Sequence, residues 1–281
     1  MKIGVLGAGT MGNGIAHVLS IYNHSVILVD VDEEILQNAL STITVNLQRQ
    51  FKKNIIDEET LESSINNIKL STNIKELKSS QLVIEAIKED LNLKTTIFMN
   101  LDSICNSTTI LASNTSSISI NSLAESTTRP KQVIGMHFMN PVPVIKLVEI
   151  IKGDKTSPET LNTIKKLSEG IDKIPIVCND SPGFVSNRIL MPMINEAAYC
   201  YYEGVADASS IDSIMKLGMG HPMGPLKLAD LIGIDICVYI LKVLYNEFKD
   251  VKYKPCKILI SMVEKNKLGK KTGEGFYKYE F

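Results

Sequence analysis

Residues 2–30, KIGVLGAGTMGNGIAHVLSIYNHSVILVD, constrain the fold of this 281-residue chain more than any other stretch. KIGVL reads as a short buried strand, Ile15, Ala16, Val18 and Leu19 recur at helical spacing, and SVILVD reads as a second strand ending in an acid. Strand, glycine turn, helix and strand in thirty residues make a βαβ unit, whose parallel strands belong in a sheet covered by helices. Within GAGTMG, Gly7 permits the tight turn, Gly9 lets backbone approach a pyrophosphate, and Gly12 lets the helix pack close to its strand. The amides of Thr10, Met11 and the rest of the first turn then face phosphate. Asp30 ends the second strand, where its carboxylate can accept from both ribose hydroxyls and repel a ribose phosphate, so the expected cofactor is NAD rather than NADP.

The charge balance removes other classes of partner. With 30 basic and 31 acidic residues the net charge is -1, which gives no bulk attraction for nucleic acid or anionic membrane. The five cysteines, at 105, 178, 200, 237 and 256, include no C-x-x-C pair, so neither a disulfide framework nor a zinc site is expected and a reducing cytoplasm fits. The apolar start is punctuated by glycines rather than shaped as a signal core, and no apolar run approaches the roughly 18 residues of a membrane span. The expected partners are small molecules and copies of the chain itself.

The pattern beyond the first unit predicts a doubly wound, Rossmann-like α/β domain over residues 1–183 and an all-helical domain over 184–281. Residues 33–67 read as a helical hairpin inserted in the sheet domain, with Asp57 capping its second helix. Strand-like runs return at QLVIEAI, TILASN, QVIGMHF and KLVEII, and NDSPG at 179–183 marks the linker. After it FVSNRILMPMINEAAYCYYEG and LKLADLIGIDICVYILKVLYNEF are helical, the second apolar on too many sides for a lone surface helix. A face to bury against another subunit, as a homodimer or higher oligomer, is therefore expected.

IGMHFMNPVPVIKLVEI, residues 134–150, places a glutamate inside a buried apolar run. An unpartnered buried carboxylate is costly, so Glu149 needs a neighbour, and His137 at the end of the preceding strand is the candidate once Pro141 and Pro143 turn the chain back. The pair would work as a general acid and base. His17, His24 and His221 lie in a helix, a turn and a Gly-Pro loop, and form no metal cluster. SNTSS, residues 113–117, offers hydroxyl and amide donors at the same sheet edge, or caps a helix. Asn187 either reaches toward that edge or caps and bridges helices. Arg49, Lys52 and Lys53 form the one basic cluster near the sheet domain, as a phosphate clamp or as an ordinary solvated helix face.

Taken together, GAGTMG, VIEA, ASNTSS, GMHFMNPVPVIKLVEI, SPGFVSNR, HPMGP and the terminal GEGFY resemble the L-3-hydroxyacyl-CoA dehydrogenase family over essentially the whole chain. The absence of a fused hydratase domain resembles its short bacterial members, which act on 3-hydroxybutyryl-CoA and acetoacetyl-CoA. The resemblance implies a catalytic dyad at His137 and Glu149, a substrate-binding serine at Ser116 and a conserved asparagine at Asn187. For NAD it implies Gly7, Gly9, Gly12, Asp30, Glu85, Lys94, Ser116 and Asn140. A dehydrogenase of a free hydroxy acid on the same plan, or a non-catalytic NAD-binding protein, are the competing readings. The first lacks an arginine aimed at a free carboxylate, and the second would be expected to have lost His137 or Glu149.

Overall fold

The computed structural model describes residues 1–280, which divide into two compact units at Ser181 and Pro182. The first unit carries an eight-stranded sheet. In chain order its elements are β1 (Lys2–Leu6), α1 (Thr10–Ile21), β2 (Ser25–Val29), α2 (Glu33–Lys52), α3 (Glu58–Asn66), β3 (Ile68–Ser71), β4 (Leu82–Glu85), α4 (Leu91–Ile104), β5 (Ile110–Ser113), α5 (Ile120–Glu125), β6 (Val133–Phe138), β7 (Leu147–Lys152), α6 (Pro158–Gly170) and β8 (Ile174–Asn179). The strand order is β3-β2-β1-β4-β5-β6-β7-β8, so the chain leaves β1 in both directions and the switch falls beside the glycine turn. All neighbouring pairs are parallel except β6 and β7.

The inner strands are apolar on both faces because helices cover both. Ile3, Val5, Val26, Leu28, Leu82 and Ile84 join Ile15 and Leu19 of α1 in one core. The polar helix α2 adheres through Leu36, Ala39, Ile43 and Leu47, three or four residues apart on one face, and a fully buried leucine or isoleucine of this kind contributes about 1.5–3 kcal/mol. Asp32 caps α2 by accepting from the amide of Glu34, and Asp57 caps α3 by accepting from that of Thr60. Two strands lie outside the sequence expectation. β3 is only IKLS, half of it polar, and β8 is an edge strand that exposes Ile174 and Ile176.

The second unit is helical: α7 (Ser186–Tyr202), α8 (Ala208–Met219), α9 (Pro225–Ile232), α10 (Ile234–Phe248) and α11 (Lys257–Glu264) enclose Met191, Ile194, Leu226, Leu241 and Leu244. The HPMGP and GEGFY stretches are explained by two buried aspartates. Asp212 accepts from the amides of Leu226 and Lys227 at the start of α9 and from the Tyr277 hydroxyl, at 2.8, 2.9 and 2.7 Å. Asp230 accepts from the amides of Phe276 and Tyr277 and the Tyr279 hydroxyl, at 2.9, 2.9 and 3.0 Å. A Cβ on Gly224 would stand 2.2 Å from the Asp212 side chain and one on Gly275 2.0 Å from that of Asp230, so each glycine makes room for its acid. Their role is to seal the tail of the chain onto the helices.

Candidate active site

The glycine turn connects β1 to α1. Gly7 has φ +101°, and a Cβ there would lie 2.6 Å from the Ala86 carbonyl oxygen, while one on Gly12 would lie 1.7 Å from the carbonyl oxygen of Gly7. Neither position accepts a side chain. Asp30 accepts from the amide of Ala8 through Oδ2 and from that of Val31 through Oδ1, both at 2.7 Å, so it holds the turn as well as facing its exposed rim. Among the described residues no side chain caps the start of α1, and its first turn carries no acid. The helix amides at Thr10 and Met11 are thus left to an anion, and the cradle fits the pyrophosphate and ribose of NAD.

The dyad is set by the one strand reversal in the sheet. β6 and β7 run antiparallel with His137 directly opposite Glu149, and the ring Nδ1 lies 2.8 Å from Glu149 Oε2. Both residues are buried, at 7% and 4% exposure. A carboxylate on Nδ1 makes that the protonated nitrogen and fixes the tautomer of the ring. The end of β6 is tied sideways as well, because Asn114 Oδ1 accepts from the amide of Phe138 at 2.9 Å. That tie was not foreseen from the sequence.

The 113–117 loop does not cap a helix; Ser119 performs that task for α5. Its donors converge instead on Glu89. Glu89 Oε1 accepts from the Thr115 hydroxyl at 2.5 Å, the Ser116 amide and hydroxyl at 2.9 and 3.3 Å, and the Ser117 amide and hydroxyl at 3.1 and 2.9 Å. Its other oxygen lies 3.3 Å from the Lys94 ammonium. Burial is the largest influence on this carboxyl and pushes it up, but the Lys94 charge and these hydrogen bonds together hold it below the usual range. Glu89 therefore stands as an anion beside Ser116. The sequence reading missed it, since an acid in KED reads as solvated.

Glu85, expected to contact the cofactor, is fully buried, with its oxygens engaged from within the protein. Oε1 accepts from Lys94 Nζ at 2.5 Å and the Ile87 amide at 2.8 Å, and Oε2 accepts from the Ser113 hydroxyl at 2.6 Å. Lys94, 1% exposed, shares this burial. The two form a paired charge under the loop that orients Ser113 and Glu89, and breaking such a pair by removing one member typically costs about 3–5 kcal/mol.

A cavity of about 410 Å³ opens between the glycine turn, α2 and the loop after β6, lined by Gly9, Thr10, Asn13, Asn38, Thr42, Asn46, Asn140 and Pro141. Asn140, exposed, leads into a cis bond to Pro141. Asn38, Thr42 and Asn46 stand four residues apart on one face of α2, and at about 100° per residue that face continues to Arg49 and to Lys53 at the C-cap, while Lys52 lies at its border, about 80° from the centre of the face. All three cations are exposed. Asn187 lies in the first turn of α7, buried. Among the described residues no group of three or more histidine, cysteine or acidic side chains could hold a metal ion, and no helix is long and apolar enough to cross a membrane.

Comparison with known proteins agrees with this geometry along the whole chain. Residues 2–181 match the 3-hydroxyacyl-CoA dehydrogenase NAD binding domain and residues 183–279 the C-terminal domain of the same family. A probable 3-hydroxybutyryl-CoA dehydrogenase of Bacillus subtilis (strain 168) is 50% identical over 99% of this chain and 97% of its own length. The 3-hydroxybutyryl-CoA dehydrogenase of Clostridioides difficile is 47% identical over 99% of each. The crystal structure of an (S)-3-hydroxybutyryl-CoA dehydrogenase from Ralstonia eutropha superposes with a TM-score of 0.96 at 46% identity, covering 100% of this chain and 99% of that one. With the cofactor cradle and the His137–Glu149 pair in place, the chain belongs to the 3-hydroxyacyl-CoA dehydrogenase family.

Proposed function

We propose that this enzyme interconverts (S)-3-hydroxybutyryl-CoA and acetoacetyl-CoA by NAD(H)-dependent hydride transfer, with His137 and Glu149 as its acid–base pair. The observation that carries this reading is the buried 2.8 Å contact between His137 and Glu149 on the sheet that bears the glycine turn. NAD, when bound, supplies the hydride acceptor for oxidation and, as NADH, the donor for reduction.

The residues supply the proton chemistry and the placement. His137 Nε2 takes the hydroxyl proton as the alcohol is oxidised and returns it to the carbonyl oxygen in reduction, a role that typically contributes about 10²–10⁴-fold. Glu149 offsets the imidazolium charge that results and holds the ring in one tautomer. Ser116 is assigned to the substrate oxygen, and Glu89 fixes that serine's position. Asn140 is assigned to the cofactor, and Asn187 is retained as a substrate-binding residue on its motif. The 410 Å³ cavity, lined by Gly9, Thr10 and Asn140, is assigned to the cofactor, and the face of α2 beyond it to the coenzyme A arm, with Arg49 and Lys53 toward the phosphates. The exposed apolar side chains of the second unit, among them Ile189, Val205 and Leu217, support a homodimer formed through that unit.

The test follows NADH absorbance with acetoacetyl-CoA, free acetoacetate and a longer ketoacyl-CoA in parallel. Acetoacetyl-CoA is expected to be reduced, with NADPH a poorer donor, and free acetoacetate to be inert. His137→Gln should retain NADH binding and lose at least about 10²-fold in turnover, and Glu149→Gln should lose turnover more than binding. Wild-type turnover in both variants would overturn the dyad, and preference for the free acid would overturn the substrate.

A further inference from the structure

Lys173, between α6 and β8, is only 6% exposed, and the proposed chemistry does not use it. Its ammonium donates to two main-chain carbonyls, that of Val142 at 2.5 Å and that of Ile145 at 2.8 Å. These belong to a single tight turn, in which the amides of Val144 and Ile145 both bond to the carbonyl of Pro141 at 3.0 Å. The turn follows Asn140 and connects the strand of His137 to the strand of Glu149.

Helix α1 presses on the same turn from another side. Gly14 lies one helical turn past the glycine loop, and a Cβ there would stand 2.9 Å from Val142 Cβ and 3.0 Å from its Cγ2. No side chain fits between the helix and Val142, which is itself buried. The turn is thus held by Lys173 and closely fitted to the helix whose amides face the phosphates. Burial costs a lysine its hydration and depresses its basicity, an effect the neighbouring Lys146 charge deepens and Asp172 opposes. A methionine would fill the same space without that penalty, so the ammonium is explained by what it bonds.

We propose that Lys173 is a positioning residue for hydride transfer: by holding the carbonyls of Val142 and Ile145 it fixes the turn that carries Asn140 against the helix of the glycine loop. The inference rests on the assignment of this site to NAD-dependent reduction. It extends that assignment to a residue 24 positions past Glu149 and 36 past His137 in sequence that is assigned contact with neither substrate nor cofactor.

The test uses the full-length protein and three variants, Lys173→Met, Lys173→Arg and Gly14→Ala. Amide hydrogen exchange in the ligand-free protein reports on the turn alone. In Lys173→Met the amides of Val144 and Ile145 should exchange about tenfold faster or more, with those of β6 and β7 unchanged. Its turnover with NADH and acetoacetyl-CoA should fall by roughly ten- to a hundredfold, the scale set by an ångström of misplacement, while the Michaelis constant for acetoacetyl-CoA holds. Lys173→Arg, which keeps a cation on the carbonyls, should recover most of both. Faster exchange with turnover within twofold of wild type would make Lys173 a support of the fold only and overturn the proposal, as would unchanged exchange. If Lys173→Met does not fold, Gly14→Ala decides: alanine favours the helix but drives a methyl group against Val142, so reduced turnover with α1 still protected supports the proposal and unchanged turnover overturns it. A wild-type protein that does not reduce acetoacetyl-CoA would instead remove the assigned activity, with the exchange result still reporting on the clamp.

Discussion

His17 is 1% exposed in α1, with Nε2 3.3 Å from Gln50 Oε1 and Nδ1 without a hydrogen-bond partner. Burial lowers its basicity, the Gln50 contact opposes this, and the Lys173 charge lowers it further. In the unfolded chain the same ring titrates near 6.5. Because the folded value is depressed, the unfolded state binds more protons between the two values, so stability is complete above about 6.5 and falls as pH drops toward the folded value. Glu89 has the same sign, but its window opens only below its ordinary 4.5. His24 is also depressed, so His17→Gln should shrink the loss of stability between pH 7.5 and 5.5 without abolishing it. Denaturant midpoints at the two pH values measure this, and an equal drop in both proteins would show that His17 does not contribute. At this scale the sequence is legible wherever an acid interrupts a buried strand. LVEI demanded a partner for Glu149, and the same argument applied to VIEA demands one for Glu85, which Lys94 supplies nine residues later. Glu89 offers no such signal, because its acceptor role is visible only once the SNTSS donors are seen to converge.

Elements were readable in proportion to their burial. The strands of the βαβ unit are apolar on both faces and stand out, whereas IKLS of β3 is too short and polar, and β8 alternates without a clear buried face. The hairpin of α2 and α3 was legible from its caps and its apolar spacing. The direction of its basic residues was not, because composition groups Arg49, Lys52 and Lys53 while helix geometry separates them. Arg49 and Lys53 continue the face of Asn38, Thr42 and Asn46, so replacing either by glutamine should raise the Michaelis constant for acetoacetyl-CoA about 1.4- to fivefold, the range of an exposed ion contact worth about 0.2–1 kcal/mol. Lys52→Gln should do less. The effect should fade as salt rises, and a pantetheine thioester, which lacks the phosphates, should be indifferent to all three. Equal losses on both thioesters would assign these residues to the fold.

For the molecule as a whole, the strand order fixes more than where the site lies. The dyad spans only 12 residues of chain, whereas the strand that ends in the glycine turn must find β4 in a pairing such as Ile3 with Leu82. Short loops close at little entropic cost, and distant parallel pairings are slow. During refolding, pulse-labelled amides of β6 and β7 should therefore become protected before those of β1 and β4; simultaneous protection would contradict this order. The acid–base pair would then exist on a chain that still has no place for a dinucleotide. On that order the His137–Glu149 pairing and cofactor affinity would arrive as separate kinetic events, and a refolding intermediate that has its histidine beside its glutamate would still be blind to NADH.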